Sequence, residues 1–106
     1  MEEIFFQIIS QVGMARTNYI EAIHCAKCGD FEGARNMIKE GREYFIKGHQ
    51  IHAELISKEA AGEPVETGMF LMHAEDQLMS AEMFSILADE FISVYKSMED
   101  RERSRK

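Results

Sequence analysis

The sequence lacks the features that mark several common classes of protein. It contains no run of about 18 or more apolar residues, so we expect no membrane-spanning helix and no direct membrane insertion. Its start, Met-Glu-Glu, has neither the basic nor the apolar region of a secretory signal peptide. With only two cysteines and no such signal, we expect a reducing compartment, the cytoplasm.

An excess of positive charge is also missing, because 12 Lys and Arg face 19 Asp and Glu and the net charge is -7. Such a chain is not expected to bind nucleic acid, whose phosphates attract a basic face. The sequence contains neither a glycine-rich phosphate-binding loop nor the chain order of a Ser-His-Asp catalytic triad. What remains is 106 residues, 45% of them apolar, with eight methionines and one proline. This composition is typical of a single helical domain.

Apolar residues recur at helical spacing in three segments, 4–28, 31–61 and 68 to at least 98, and no segment alternates as a strand does. The sequence therefore predicts an all-α fold, a three-helix antiparallel up-down-up bundle. We assign residues 1–98 to this single helical-bundle domain and residues 99–106 to a charged C-terminal tail.

Residues that begin and end helices divide the three segments. Gly29 is a good stop for the first helix, and Asp30 is a good N-cap for the second. Pro64 falls where the second helix should have ended, and Thr67 is the predicted N-cap of the third.

The second and third helices each carry a stripe of residues spaced alternately by three and four, as in coiled coils. In the second helix the stripe consists of Phe31, Ala34, Ile38, Gly41, Phe45, Gly48, His52 and Leu55. In the third it consists of Met69, His73, Asp76, Ser80, Met83, Leu87, Glu90 and Val94. Each helix spans about 40 Å, and the first helix also carries apolar residues on more than one face, Phe6 included. Together with the two stripes, these features predict self-association, with a closed symmetric ring as the form.

Three small residues of the second stripe, Ala34, Gly41 and Gly48, recur every seven positions. A glycine inside a helix costs about 1 kcal/mol relative to alanine, which favours a packing reason. We expect a neighbouring helix to approach closely at these positions. The alternative is that the glycines are merely tolerated.

His73 and Asp76 stand out because they lie three residues apart on one face of an apolar segment. A lone histidine in such a place is often a satisfied core residue. However, a neutral imidazole is also a good nucleophile that can carry a phosphoryl group, and helix N-termini favour anions. Asp76 would be exposed or paired with a lysine in a monomer. In a trimer, three copies would meet and recruit a hard cation such as Mg²⁺.

The pattern formed by Cys25, Cys28, His49 and His52 resembles a zinc-ligand spacing. Helix geometry argues against a shared zinc ion. The cysteines lie at the turn between the first and second helices, whereas His49 lies about 19 residues along the second helix, nearly 30 Å away. Free thiols are the simpler interpretation. Antiparallel pairing instead brings His52 to within a turn of His73 and Asp76. There it either bonds to a neighbour or supports His73.

Four sequence motifs resemble those of a known family, the lactose/cellobiose-specific IIA component of the bacterial phosphoenolpyruvate-dependent sugar phosphotransferase system. The resemblance covers nearly the whole chain. The most specific motif is Leu71-Met72-His73-Ala74-Glu75-Asp76-x-Leu78-Met79, which is similar to the family's active-site segment. The others are Gly13-Met14-Ala15-Arg16, Gly29-Asp30-Phe31-x-x-Ala34 and Leu55-Ile56-x-x-Glu59-Ala60-x-Gly62.

The resemblance implies a phosphohistidine carrier. His73 would accept a phosphoryl group from the phosphocarrier HPr and pass it to a cysteine of a IIB component, for uptake and phosphorylation of a lactose- or cellobiose-type sugar. Asp76 would match the aspartate that gathers around a metal ion, Mg²⁺ or a similar divalent cation, at the threefold axis. The implied assembly is a nine-helix homotrimer.

The chain departs from the family pattern at four positions around the expected site. It has His52-Ala53 where the family usually has glutamine and threonine, Glu75 in place of glutamine, and Gln77 in place of histidine. We expect His52 and Gln77 to be supporting residues around His73. A second hypothesis, based on Glu75 and Gln77, is a non-catalytic trimeric helical adaptor derived from this family. A third is a His/Met-rich binder of a transition metal or a cofactor.

Overall fold

The computed structural model describes residues 1–105, so Lys106, the last residue of the predicted tail, lies outside the described residues. Its helices are α1 (Glu2–Lys27), α2 (Phe31–Ala60) and α3 (Met69–Ser104), and residues 1–105 contain no strand. The predicted all-α, three-helix fold is confirmed. The bundle is elongated, with extents of 64 × 20 × 19 Å. None of the helices in the described residues is long and apolar enough to cross a membrane.

The two connections differ in length and in how they begin the next helix. Between α1 and α2, Gly29 takes a positive φ of 84° and Asp30 caps α2 by accepting a hydrogen bond from the Gly33 N–H at 2.9 Å. Both predictions there are confirmed. The predicted N-cap of α3, Thr67, is wrong. The N-cap is Gly68, since its carbonyl accepts the hydrogen bond from the Met72 N–H that closes the first turn.

Helix α1 provides most of the core, because it packs against both α2 and α3 while those two contact each other less. Its buried face repeats at helical spacing. The buried apolar residues of α1 are Phe5, Ile8, Val12, Ala15, Tyr19, Ala22 and Ala26.

Helices α1 and α2 approach closely at the glycines of the second stripe. A Cβ added at Gly41 would lie 2.7 Å from Cε1 of the fully buried Tyr19. At Gly48 an added Cβ would lie 2.7 Å from Cγ1 of Val12. Distances under 3.0 Å are almost never seen for a real Cβ, so both positions need glycine. The packing prediction is confirmed, and simple tolerance does not explain these glycines.

The stripe predicted for α3 is not part of the subunit core. The residues of α3 that are buried against α1 and α2 lie on the opposite side: Ala74, Leu78, Ala81 and Ala88. We call the exposed apolar side the outer face of α3, made of Met69, Met72, Met79, Met83, Ile86, Leu87, Phe91, Val94 and Met98. Periodicity alone could not decide which side faces the core, because α3 is apolar on two opposite sides.

Candidate functional site

His73 lies near one end of the bundle as the fifth residue of α3, and its side chain is exposed. The interpretation of His73 as a satisfied core residue is therefore wrong for the subunit. Together with Met69 and Phe70 it lines a shallow open depression. Among residues 1–105 no side chain is hydrogen-bonded to its ring. The imidazole is thus open to an approaching reactant.

An apolar rim surrounds His73, formed by Met69, Phe70 and Met72. Met69 is 87% exposed and Met72 is 68% exposed. The ring of Phe70 is half-buried, with centroids 5.2 Å from Phe6 and 6.0 Å from Phe5. Because these two aromatics belong to α1, they fix the turn that precedes His73. The rim therefore combines a packed aromatic base with two exposed methionines.

Asp76 is exposed on the outer face of α3, seven residues from both Met69 and Met83. No ion pair joins it to another side chain within residues 1–105, so the lysine-paired alternative does not hold in the subunit. Within the same range, no three His, Cys, Asp or Glu side chains are grouped closely enough to hold a metal ion. Within one subunit, the described residues therefore do not surround Asp76 with the ligands of a metal site.

The structure joins two of the four departures from the family pattern. His52 Nε2 lies 2.9 Å from Glu75 Oε2, which ties α2 to α3 beside the turn that carries His73. The side chain of His52 is only 15% exposed, whereas that of Glu75 is 46% exposed. The predicted level of His52 is confirmed. The pair is an ion pair when His52 is protonated and a hydrogen bond when it is neutral.

The third departure, Gln77, also contacts another helix. Its side-chain Oε1 accepts a hydrogen bond from Nη1 of Arg16, and both side chains are partly buried. Sequence reasoning did not assign a role to Arg16, although it lies in one of the family-like motifs. The sequence shows which side of its helix Arg16 lies on. It does not show that its partner is Gln77, 61 residues further along the chain.

The cysteines and His49 are not brought to this site. Cys25 and Cys28 are free thiols near the first connection. Partial burial raises the pKa of Cys25, and the nearby carboxylate of Asp30 raises it further. A raised pKa leaves less of the nucleophilic thiolate. His49 is exposed and its ring lies 6.0 Å from that of Phe45.

A groove of about 440 Å³ opens between α2 and α3 far from His73. Arg42 and Asp89 bridge it with a 3.1 Å ion pair, and Phe31 and Lys96 lie further along. Two of the charged groups at this groove, Arg42 and Asp89, pair with each other, and no histidine lines it, so the open imidazole of His73 remains the better candidate for chemistry.

Comparison with known proteins gives a consistent result. The family described as "PTS system, Lactose/Cellobiose specific IIA subunit" matches residues 3–96. The chain is 40% identical to the lichenan-specific phosphotransferase enzyme IIA component of Bacillus subtilis, over 95% of this chain and 92% of that protein. The crystal structure of the cellobiose-specific enzyme IIA from Bacillus anthracis superposes with a TM-score of 0.91 at 39% identity, covering 92% of this chain and 90% of that one.

A further solved structure contains a partner. The IIA(Chitobiose)–HPr complex of the N,N'-diacetylchitobiose branch of the Escherichia coli phosphotransferase system matches with a TM-score of 0.81 and 28% identity. The match covers 92% of this chain and 95% of that one. The fold, the family profile and the sequence identity agree, and the chain belongs to the lactose/cellobiose-specific IIA family of the phosphotransferase system.

Proposed function

We propose that this protein is a phosphohistidine carrier that receives a phosphoryl group from HPr on His73 and passes it to a cysteine of a sugar-specific IIB component. The observation that carries the proposal is the exposed imidazole of His73 inside the apolar rim, in a chain of the IIA family. The sugar served is of the lactose or cellobiose type. A relative with 28% identity is described in complex with HPr, which supports the choice of donor.

The chemistry consists of two phosphoryl transfers. A neutral nitrogen of His73 attacks the phosphorus on HPr, and the new N–P bond forms as the bond to HPr breaks. A thiolate of the IIB component then attacks the same phosphorus, so that a P–S bond forms while the His73 N–P bond breaks. Each step needs alignment of donor and acceptor more than it needs a strong catalyst.

Alignment is the role we give to the surroundings of His73. The exposed methionines of the apolar rim can adapt to two different partners in turn, since methionine packs flexibly. The His52–Glu75 contact holds α3 against α2 beside the turn that carries His73. His52 thus supports His73 by fixing the helix that carries it, and Gln77 supports the site through its hydrogen bond with Arg16 of α1.

The outer face of α3 supports a homotrimer of nine helices. Beyond the apolar rim it exposes apolar side chains along most of the helix, from Met79 (67%) through Met83 (55%) to Met98 (55%). A continuous apolar face of this length marks an association surface. Three copies of Asp76 would meet where these faces join. Carboxylate oxygens suit a hard cation, so Asp76 from each subunit would hold Mg²⁺ or a similar divalent cation, which supplies positive charge against their repulsion.

The first prediction concerns His73→Ala, which should lose all acid-labile phosphate when the protein is incubated with phosphorylated HPr. The reason is that no other nucleophile lies within the apolar rim. The measurement is the label per subunit, with the site mapped by peptide analysis. His49→Ala is the matched control, since it also removes an exposed histidine and should label fully. An unlabelled but assembled wild type would favour the adaptor hypothesis, and unchanged labelling of His73→Ala would exclude His73.

The second prediction concerns Asp76→Leu. Because leucine removes the repulsion among three carboxylates and adds apolar area, this variant should stay assembled in a metal chelator. The assembly of the wild type should dissociate more readily in the same chelator. Light scattering at one fixed concentration, with Mg²⁺ and with chelator, measures both. A wild type that is monomeric in both solutions would contradict the proposed axis.

A further inference from the structure

The edge of α3 that carries His73 faces α1. Phe70, three residues before His73, packs on Phe5 and Phe6 of α1. Gln77, four residues after it, accepts a hydrogen bond from Arg16 of α1. Residues three and four apart share a helix face, so His73 lies between two contacts with α1. Helix α1, not α2, therefore borders the imidazole on this side.

Arg16 is the cation that α1 places at this level. The next one along α1, Lys27, lies eleven residues further on, or about 16 Å away. On α3 the first cation is Lys96, 23 residues or about 35 Å beyond His73. The charges next to His73 on α3 are instead acidic, Glu75 and Asp76. Helix α3 itself therefore offers a phosphoryl group at His73 acidic neighbours and no nearby cation.

The Arg16–Gln77 hydrogen bond lies about one helical turn from His73, because Gln77 follows His73 by four residues. Side chains of an α-helix tilt toward its N-terminus, and α1 and α3 run in the same direction. The side chains of Arg16 and Gln77 are therefore expected to lean toward the end of the bundle that holds His73. Among residues 1–105, no carboxylate forms an ion pair with the guanidinium of Arg16.

We infer that Arg16 binds the phosphoryl group carried by His73, and that Gln77 holds the guanidinium in place while His73 is unphosphorylated. The inference rests on the proposed function. When the phosphoryl group arrives, the N–H groups of Arg16 exchange the neutral amide oxygen for phosphoryl oxygens, and no covalent bond of Arg16 changes. Hydrogen bonds to an ionised acceptor are about twice as strong as neutral ones, so this exchange is favourable. Arginine also matches the geometry of phosphate oxygens better than lysine does.

The experiment compares two variants that remove the same Arg16–Gln77 contact. In each, the fraction of subunits phosphorylated at equilibrium with phosphorylated HPr is measured, with the ³¹P resonance of the phosphohistidine as a second readout. Arg16→Met should lower the equilibrium constant by about ten- to hundredfold, the effect of losing a hydrogen bond to a charged group. Gln77→Met should raise it, because the competing acceptor has gone. The ³¹P resonance should shift in Arg16→Met.

Two further variants refine the comparison. Arg16→Lys should recover part of the loss, because it restores the charge but not the planar donors. Gln77→Glu should lower the phosphorylated fraction, because a carboxylate competes with the phosphoryl group for the guanidinium. Circular dichroism and light scattering confirm that each variant is folded and assembled like the wild type.

Each outcome decides between the possible roles of Arg16. If both Arg16→Met and Gln77→Met lower the phosphorylated fraction, the contact serves the fold, and the inference is wrong. If Arg16→Met behaves as the wild type does, the inference is wrong while the proposed function stands. If the wild type takes no label from phosphorylated HPr, the proposed function fails and the inference fails with it.

Discussion

Leu87→Glu is expected to convert the assembled protein into monomers at micromolar concentration, given the proposed trimer. Leu87 is 40% exposed in the subunit and lies midway along the outer face of α3. If three outer faces join, the variant would bury three new carboxylates among apolar side chains. Burying a polar group without a partner costs about 2–7 kcal/mol, and a charged group costs more. Light scattering or sedimentation at several concentrations measures the change.

The control for this variant places the same charge elsewhere. Asn36→Glu adds a carboxylate at an exposed position of α2, away from the outer face of α3, and should leave the mass unchanged. Circular dichroism should show that both variants keep their helices, since Leu87 contributes little to the subunit core. A Leu87→Glu protein with the mass of the wild type would place the assembly surface elsewhere on the molecule.

Gly41→Ala is expected to lower the free energy of unfolding by about 1–3 kcal/mol, which is typical of overpacking. This outcome opposes helix propensity, by which alanine should stabilise a helix interior by about 1 kcal/mol. Steric contact prevails here because the added Cβ would lie 2.7 Å from Tyr19 Cε1 and 3.2 Å from Asn18 Cβ. Tyr19 is fully buried and packs in the core between the helices. Denaturant unfolding at one fixed protein concentration measures the change.

Gly13→Ala is the matched substitution with the opposite expected sign. It lies inside α1, and a Cβ there would meet nothing within 4 Å in the subunit. Only the propensity gain remains, so the variant should be more stable by roughly 0.5–1 kcal/mol. Equal stability changes for Gly13→Ala and Gly41→Ala would mean that Tyr19 relaxes freely and that the close approach of α1 and α2 carries little energy.

The sequence predicted the helices of this protein well because their signals are local. Apolar spacing, the positive-φ glycine at Gly29 and the side-chain cap at Asp30 all act within a few residues. The glycines of α2 were interpretable for the same reason, since a helix rarely holds Gly41 and Gly48 seven residues apart without a packing partner. The position of His73 near the start of α3 followed directly from the helix boundaries.

The contacts around His73 could not be predicted in the same way, because they join helices that are distant in sequence. His52 and Glu75, each an isolated departure from the family pattern, meet at 2.9 Å across 23 residues. Arg16 and Gln77 meet across 61 residues. The sequence also left open which side of α3 faces the core. Apolar residues follow the helical period on two opposite sides of this helix, so periodicity cannot choose between them. Only the packing of Ala74 and Ala81 against α1 and α2 identifies its inner side.

The length of α3 has a consequence for how proteins of this kind diverge. His73 and the apolar rim occupy its first two turns, whereas the outer face continues for about 35 Å further, to Met98. A substitution at Met69 or Met72 alters the surface offered to visiting proteins and leaves Leu87 and Val94 untouched. Partner choice and quaternary structure can therefore evolve separately along one helix. A duplicated gene could acquire a new binding partner without first having to rebuild the proposed assembly.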